Sequence, residues 1–176
     1  FQDMQGDFVT YLNLYNAFLQ TDNREKFCKK NYLDLRVMLE IENIKEQLTQ
    51  IVREKLGIPV IENKGDLSDY LCCIAAGMIQ FVCVRTGRES YHSLTADHIC
   101  IHPGSVMFRQ NPVFIVAGEI VRTSRVFAMS VSPLTRPMLD RINPGLYERL
   151  MACKSSKVTE KENLRASNVS NSSNQT

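Results

Sequence analysis

Apolar residues recur at helical spacing through the first third of the chain. In GDFVTYLNLYNAFLQ, Phe8, Leu12, Tyr15 and Leu19 fall on one face, and Asp7 is placed to cap the helix start. The polar run TDN at 21–23 ends that helix. Leu33, Val37, Ile41, Ile44, Leu48 and Ile51 then follow at intervals of 4, 4, 3, 4 and 3, a continuous stripe of core or interdomain packing. Gly57 sits where a left-handed helix terminus belongs, and Pro59 prevents continuation. SDYLCCIAAG predicts a further short helix, with Ser68 as its cap and Gly77 as its stop.

From Met78 the pattern changes period. MIQFVCVR, ADHICIHP, PVFIVAGEIVR and RVFAMSVS are short, β-branched and aromatic, with turn residues between them, and TGRESYHSL holds another edge strand. Four or five such strands predict a small barrel or sandwich. LTRPMLDRINPGLYERLM closes the folded part as a helix or helix pair broken at Pro144 and Gly145. The tail from Lys154 is polar and nearly free of large apolar residues, so disorder is expected there. The N-x-S/T triplets at Asn168, Asn171 and Asn174 are chance products of that Asn/Ser-rich tail. The fold class is therefore α+β. A helical segment spans 1–66, a small β-barrel domain 67–152 and a disordered tail 153–176.

Charge changes this picture only locally. The net charge of the 176 residues is +2. Residues 67–150, however, carry eight basic side chains against six acidic, and all eight are Arg. The guanidinium fork matches phosphate and stacks on bases, whereas Lys is a compact point charge. The six cysteines form no C-x-x-C pair. Most lie in apolar runs and read as reduced thiols of an intracellular protein. His92, His98 and His102 do not join them at zinc-ligand spacing. No apolar run reaches the roughly 18 residues that span a bilayer.

Three Arg-bearing stretches emerge as candidate phosphate contacts. Arg122, Thr123, Ser124 and Arg125 form a turn between two predicted strands, rich in amides, hydroxyls and guanidinium forks. Arg85 and Arg88 bracket a second loop, with Tyr91 and His92 following as candidate base-stacking rings. Arg109 in FRQNP is a third. The competing reading of each is an ordinary solvated turn or, for Tyr91, a ring packed into the barrel. His102 and Ser105 invite a base-and-nucleophile reading, but no orienting acid or oxyanion hole accompanies them. They are retained as structural, nucleic-acid-contacting or interdomain-contacting residues, with no catalytic residue assigned.

These stretches carry a resemblance. GDFVTYLNLYNAF resembles the GDH-x-T-x-L-N-x-Y-x-x-(W/F) run of DEAH-box RNA helicases. FCKKNYLDLRVMLEIENIKEQL resembles the WC-x-x-N-(F/Y) stretch that follows in that family, with Arg36 at its helix arginine. IAAGMIQFVCV, YHSL with ICIHPGSVMF, and GEIVRTSRVFAMSVSPLTRPML resemble three later segments in the same order. Together they cover residues 6 to 150. The chain departs from the pattern at Phe8, Phe27, Gly104, Met129 and Met138, and it contains no Trp.

The resemblance implies the C-terminal accessory region of such a helicase: the last helices of its ratchet-like domain, then an oligonucleotide/oligosaccharide-binding (OB) fold. It implies single-stranded RNA as ligand, the helicase's own ATPase domains as packing partners, and a G-patch-type activator as a further partner. No G-x-x-x-x-G-K-[ST] loop or D-E-A-H is present. This chain alone is thus expected to need no cofactor, ATP and Mg²⁺ belonging to domains upstream. Phe1 in place of an initiator Met suggests an excised piece. The competing expectation is a stand-alone OB module that docks protein partners.

Overall fold

The computed structural model of the chain describes residues 1–61 and 65–152. The expected disordered tail, Cys153 and the Asn triplets lie outside the described residues. Two compact units are present. One holds Phe1 and Thr10–Asp66, the other Gln2–Val9 and Leu67 onward.

The helical unit contains most of α1 (Asp7–Gln20), α2 (Arg24–Lys30) and α3 (Leu35–Glu54). The TDN break proves to be a cap: the Asn23 side chain accepts from the Lys26 amide at 2.8 Å. Asp34 does the same for the Arg36 amide and starts α3. At the far end Gly57 adopts φ 63°, and the Ile58 amide donates back to Val52 O. A small core of Phe18, Cys28 and Met38 lies against Tyr15, Phe27, Leu33 and Leu35. Phe27, where the family pattern has Trp, packs its ring 6.2 Å from that of Phe18. The apolar stripe of α3 is not core among the described residues: Val37, Ile41, Ile44, Leu48 and Ile51 are 42–56% exposed.

In the second unit, α4 (Leu67–Gly77) leads through a single 3₁₀ turn into five strands: β1 (Val82–Arg85), β2 (Tyr91–Ser93), β3 (Ile99–Ile101), β4 (Phe114–Arg122) and β5 (Val126–Leu134). α5 (Arg136–Ile142) follows, and after Pro144 and Gly145 the chain is helical again over 146–152. Ser68 is not a cap, since α4 already includes Leu67.

The strands close into a barrel in the order β1-β2-β3-β5-β4. All neighbours are antiparallel except β3 and β5, which run parallel with Ile99, Cys100 and Ile101 opposite Val126, Phe127 and Ala128. Five short strands suffice because the apolar residues fill two places. Ile99, Ile101, Met107, Ile115, Ala117, Ala128 and Val131 pack together in one cluster. Val82, Val84, Phe114, Val116 and Leu134 pack against α4, α5 and Leu146 in the other. Met138, at the family's Trp position, remains a buried member of that second cluster.

The first turn of α1 is fastened to the barrel. Asp7 is buried, and its two carboxylate oxygens accept from the amides of Val106 (3.0 Å) and Val131 (2.6 Å). This replaces the expected helix-capping role: both oxygens serve strand and loop amides instead. The Phe8 amide donates to Ser132 Oγ at 3.2 Å. Gly6 stands so close to β5, at φ 107°, that a Cβ would lie 2.2 Å from Ser132 Oγ.

Candidate nucleic-acid interface

The two Arg-bearing turns of the barrel are its β1–β2 and β4–β5 connections. In a barrel of this connectivity, those connections and the strand 2–3 face are the ligand-binding places. The β4–β5 hairpin changes character along its length. Phe114 to Ala117 are buried, whereas Glu119 and Arg122 are exposed. Its outer half therefore extends away from the core and presents Arg122, Thr123, Ser124 and Arg125 to solvent. The turn is held by the Thr123 amide and hydroxyl, both donating to Arg125 O, at 2.8 and 3.3 Å. The ion pairs among the described residues lie elsewhere, on Arg24, Arg136 and Arg141. Arg88, Arg109, Arg122 and Arg125 thus keep their forks open.

In the β1–β2 connection, Thr86 closes the loop through its amide and hydroxyl on Ser90 O, and Arg88 is exposed at the tip. Arg85 is different. It is half-buried, and its Nη1 donates to Asn111 O at 2.6 Å. Its fork is partly engaged within the protein, where it fixes the 109–113 segment.

Tyr91 requires a correction. Its side chain is fully buried, and its hydroxyl donates to Pro112 O at 2.8 Å. Burial pushes the phenol up to about 12, against the opposing pull of nearby Arg85. No ring face is left for a base. His92 is equally enclosed, its Nε2 lying 2.7 Å from Leu150 O. The cause is geometric: all three residues of β2 are buried, so this strand has no outward side.

His102 and Ser105 shape a turn. His102 Nδ1 accepts from the Gly104 amide at 3.0 Å, and its ring meets Phe127 edge-on at 5.5 Å. The Ser105 amide donates to His102 O, while Ser105 Oγ accepts from the Met107 amide. The two side chains face separate backbone amides, with no nucleophile–base hydrogen bond between them. Ser105 is nine-tenths buried, which removes it from any surface contact.

The arrangement brings Arg109 and Arg125 together at one cleft. The two side chains, 16 positions apart, line a depression of about 170 Å³ over the β3–β5 face. Cys100 and Phe127, opposite each other in the parallel pair, form its floor with Pro103 and Phe108 beside them. Both alternate with core residues along their strands and so point outward. The Arg109 guanidinium lies over the Phe108 ring, 5.1 Å from its centroid. Phe127 and Phe108 were missed as functional candidates in the sequence. A signal for Phe127 existed, in its alternation with Val126 and Ala128.

Among the described residues no group of three His, Cys, Asp or Glu side chains is placed to hold a metal ion. No helix among them is long and apolar enough to cross a membrane. The cysteines at 28, 72, 73, 83 and 100 are free thiols, and burial pushes that of Cys83 up to about 12.

Comparison with known proteins agrees with this geometry. The family described as the oligonucleotide/oligosaccharide-binding (OB)-fold matches residues 71–144. ATP-dependent RNA helicase HrpA of Borreliella burgdorferi is 36% identical over 144 residues, covering 81% of this chain and 17% of its own length. Probable ATP-dependent RNA helicase DHX35 of Homo sapiens is 26% identical over 147 residues, 82% of this chain and 21% of its own. HrpA of Escherichia coli is 24% identical over 156 residues, 85% and 12%. The chain thus spans about a fifth or less of the length of the curated relatives it matches. By this match the barrel is an OB fold over residues 71–144, and about four fifths of the chain is similar to ATP-dependent RNA helicases.

Proposed function

We propose that this chain is the accessory region of an ATP-dependent RNA helicase and that its barrel grips single-stranded RNA. One observation carries the reading: Arg109 and Arg125 meet at a cleft on the β3–β5 face, beside the open turn of Arg122. Unpaired guanidinium forks on protruding loops suit a sugar-phosphate backbone, which carries no sequence information. Arg88 is exposed in the β1–β2 loop, whose Glu89 lines the same cleft. Arg85 acts from beneath it, by holding the segment that bears Arg109.

ATP and Mg²⁺ would be handled by ATPase domains elsewhere in such a helicase, against which this region packs. The exposed apolar stripe of α3 supports protein packing in the helical unit, since a soluble helix rarely leaves five large apolar side chains open. A G-patch-type activator and an intracellular setting accompany the reading as its expected partner and place. A stand-alone module that docks proteins would use the stripe but leave the arginines idle.

The test is single-stranded RNA affinity of the chain across a salt series, with Arg122→Ala/Arg125→Ala beside the parent. Each lost phosphate contact flattens the log-log salt slope by about 0.7, so the double variant should lose about 1.4. An unchanged affinity and slope would remove RNA grip from this turn.

A further inference from the structure

We infer that the β3–β5 cleft takes one unstacked nucleobase, with Phe127 as the stacking platform and Arg109 and Arg125 holding the adjoining phosphates. The inference rests on the single-strand reading above and goes beyond it: phosphate grip alone needs no cavity.

Size comes first. Pockets for drug-sized ligands run to roughly 300–1,000 Å³. This one has about 170 Å³, with mostly apolar walls, and suits a single flat ring. Its chemistry agrees. The floor is a β-strand aromatic on the outer barrel face, and the His102 ring packs nearly perpendicular to Phe127 with centroids 5.5 Å apart, which fixes the plane of the Phe127 ring. Phe108 supplies a second ring, with the Arg109 guanidinium laid over it. Stacking on such surfaces accepts any base. Two arginines against one carboxylate, Glu89, line the cleft, so its charge favours a phosphate.

The rim is also strained. Arg109 and Asn111 both adopt positive φ, 66° and 51°, although neither is glycine. The Arg85 guanidinium on Asn111 O and the Asn111 side chain on Arg109 O maintain that conformation. Such backbone outliers gather at ligand clamps.

The experiment compares two single-stranded RNAs of equal length and charge, one with ordinary bases and one with abasic riboses, against the 176-residue chain. The base-bearing strand should bind about 5- to 100-fold more tightly, the range that one stacked base supplies. Phe127→Leu keeps an apolar strand residue and removes the π-face, and it should collapse that ratio towards one. In a Cys73→Ser/Cys153→Ser background, the base-bearing strand should also slow alkylation of Cys100 on the cleft floor more than the abasic strand does. Equal binding of the two strands by the parent chain would overturn the base pocket, yet leave the phosphate reading standing if both remain salt-sensitive. A ratio that survives Phe127→Leu, with Cys100 unprotected, would place the base elsewhere and also overturn it. If neither strand binds, both readings fall together.

Discussion

The carboxylate of Asp7 accepts a 2.6 Å hydrogen bond from the amide of Val131, 124 positions further along the chain. Its other oxygen takes the Val106 amide, so one side chain ties the start of α1 to two separate parts of the barrel. Val131 is fully buried and has no water to turn to. Asp7→Ala should therefore destabilise the barrel by about 2–4 kcal/mol, the range for two amides losing a charged acceptor. Denaturant unfolding and amide exchange at Val131 measure this. A loss below about 0.5 kcal/mol, the level of an ordinary surface change, would show the pair to be incidental.

Gly6 is expected to tolerate no side chain. Gly6→Ala should cost at least about 2 kcal/mol, since the new Cβ meets Ser132 while φ stays at 107°. Adding Ser132→Ala should restore only part of this, because the Ser132 Cα itself would lie 2.5 Å away. Full recovery of the melting temperature in the double variant would show that the hydroxyl alone was the obstacle.

Raising the pH should weaken the barrel through two buried acids. Tyr91 and Cys83 are both neutral in the fold and both pushed up to about 12, from ordinary values of 10.0 and 9.0. Their folded forms hold the proton more tightly than the unfolded chain does. Stability is thus intact below pH 9 and falls as pH rises through 9–12, where only the unfolded state ionises. Burial also raises Tyr15 and Tyr70, so absorbance at 295 nm should show three of the six tyrosines ionising late, and Tyr91→Phe should remove the step near pH 12. A step near pH 12 that persists unchanged in Tyr91→Phe would assign it to another phenol.

Arg85 should separate positioning from grip. Arg85→Met leaves Asn111 O without its 2.6 Å donor and should cost about 1–3 kcal/mol of stability. The salt slope of RNA binding should move less than in Arg125→Ala, whose guanidinium is open to a phosphate. Equal slope changes in the two variants would make Arg85 a direct phosphate ligand.

Much of the architecture was legible in the chain. The switch from helical to alternating apolar spacing at Met78 is a property of the residues themselves, and it marks the entry to β1. The role of Tyr91 was not legible. A three-residue strand buried on both sides shows no alternation, and only its cover by Leu150 and Pro112 decides which way its rings turn. Asp7 misled for a related reason: the first residue of a helix is where a cap belongs, and nothing local reveals that its acceptors will be claimed from residue 131. The α3 stripe was read correctly as apolar, but its exposure depends on what surrounds it.

The parallel pairing of β3 with β5 has a consequence for how the molecule is made. A sheet of hairpins can zip up as it emerges, but β3 must wait for β5, and β5 then completes the socket for Gly6, Asp7 and Phe8. Closure of such distant contacts is the slow kind of folding. During synthesis residues 6–8 therefore stay undocked until residue 132 has left the ribosome. A truncation anywhere before β5 releases both the barrel and the start of the first helix at once.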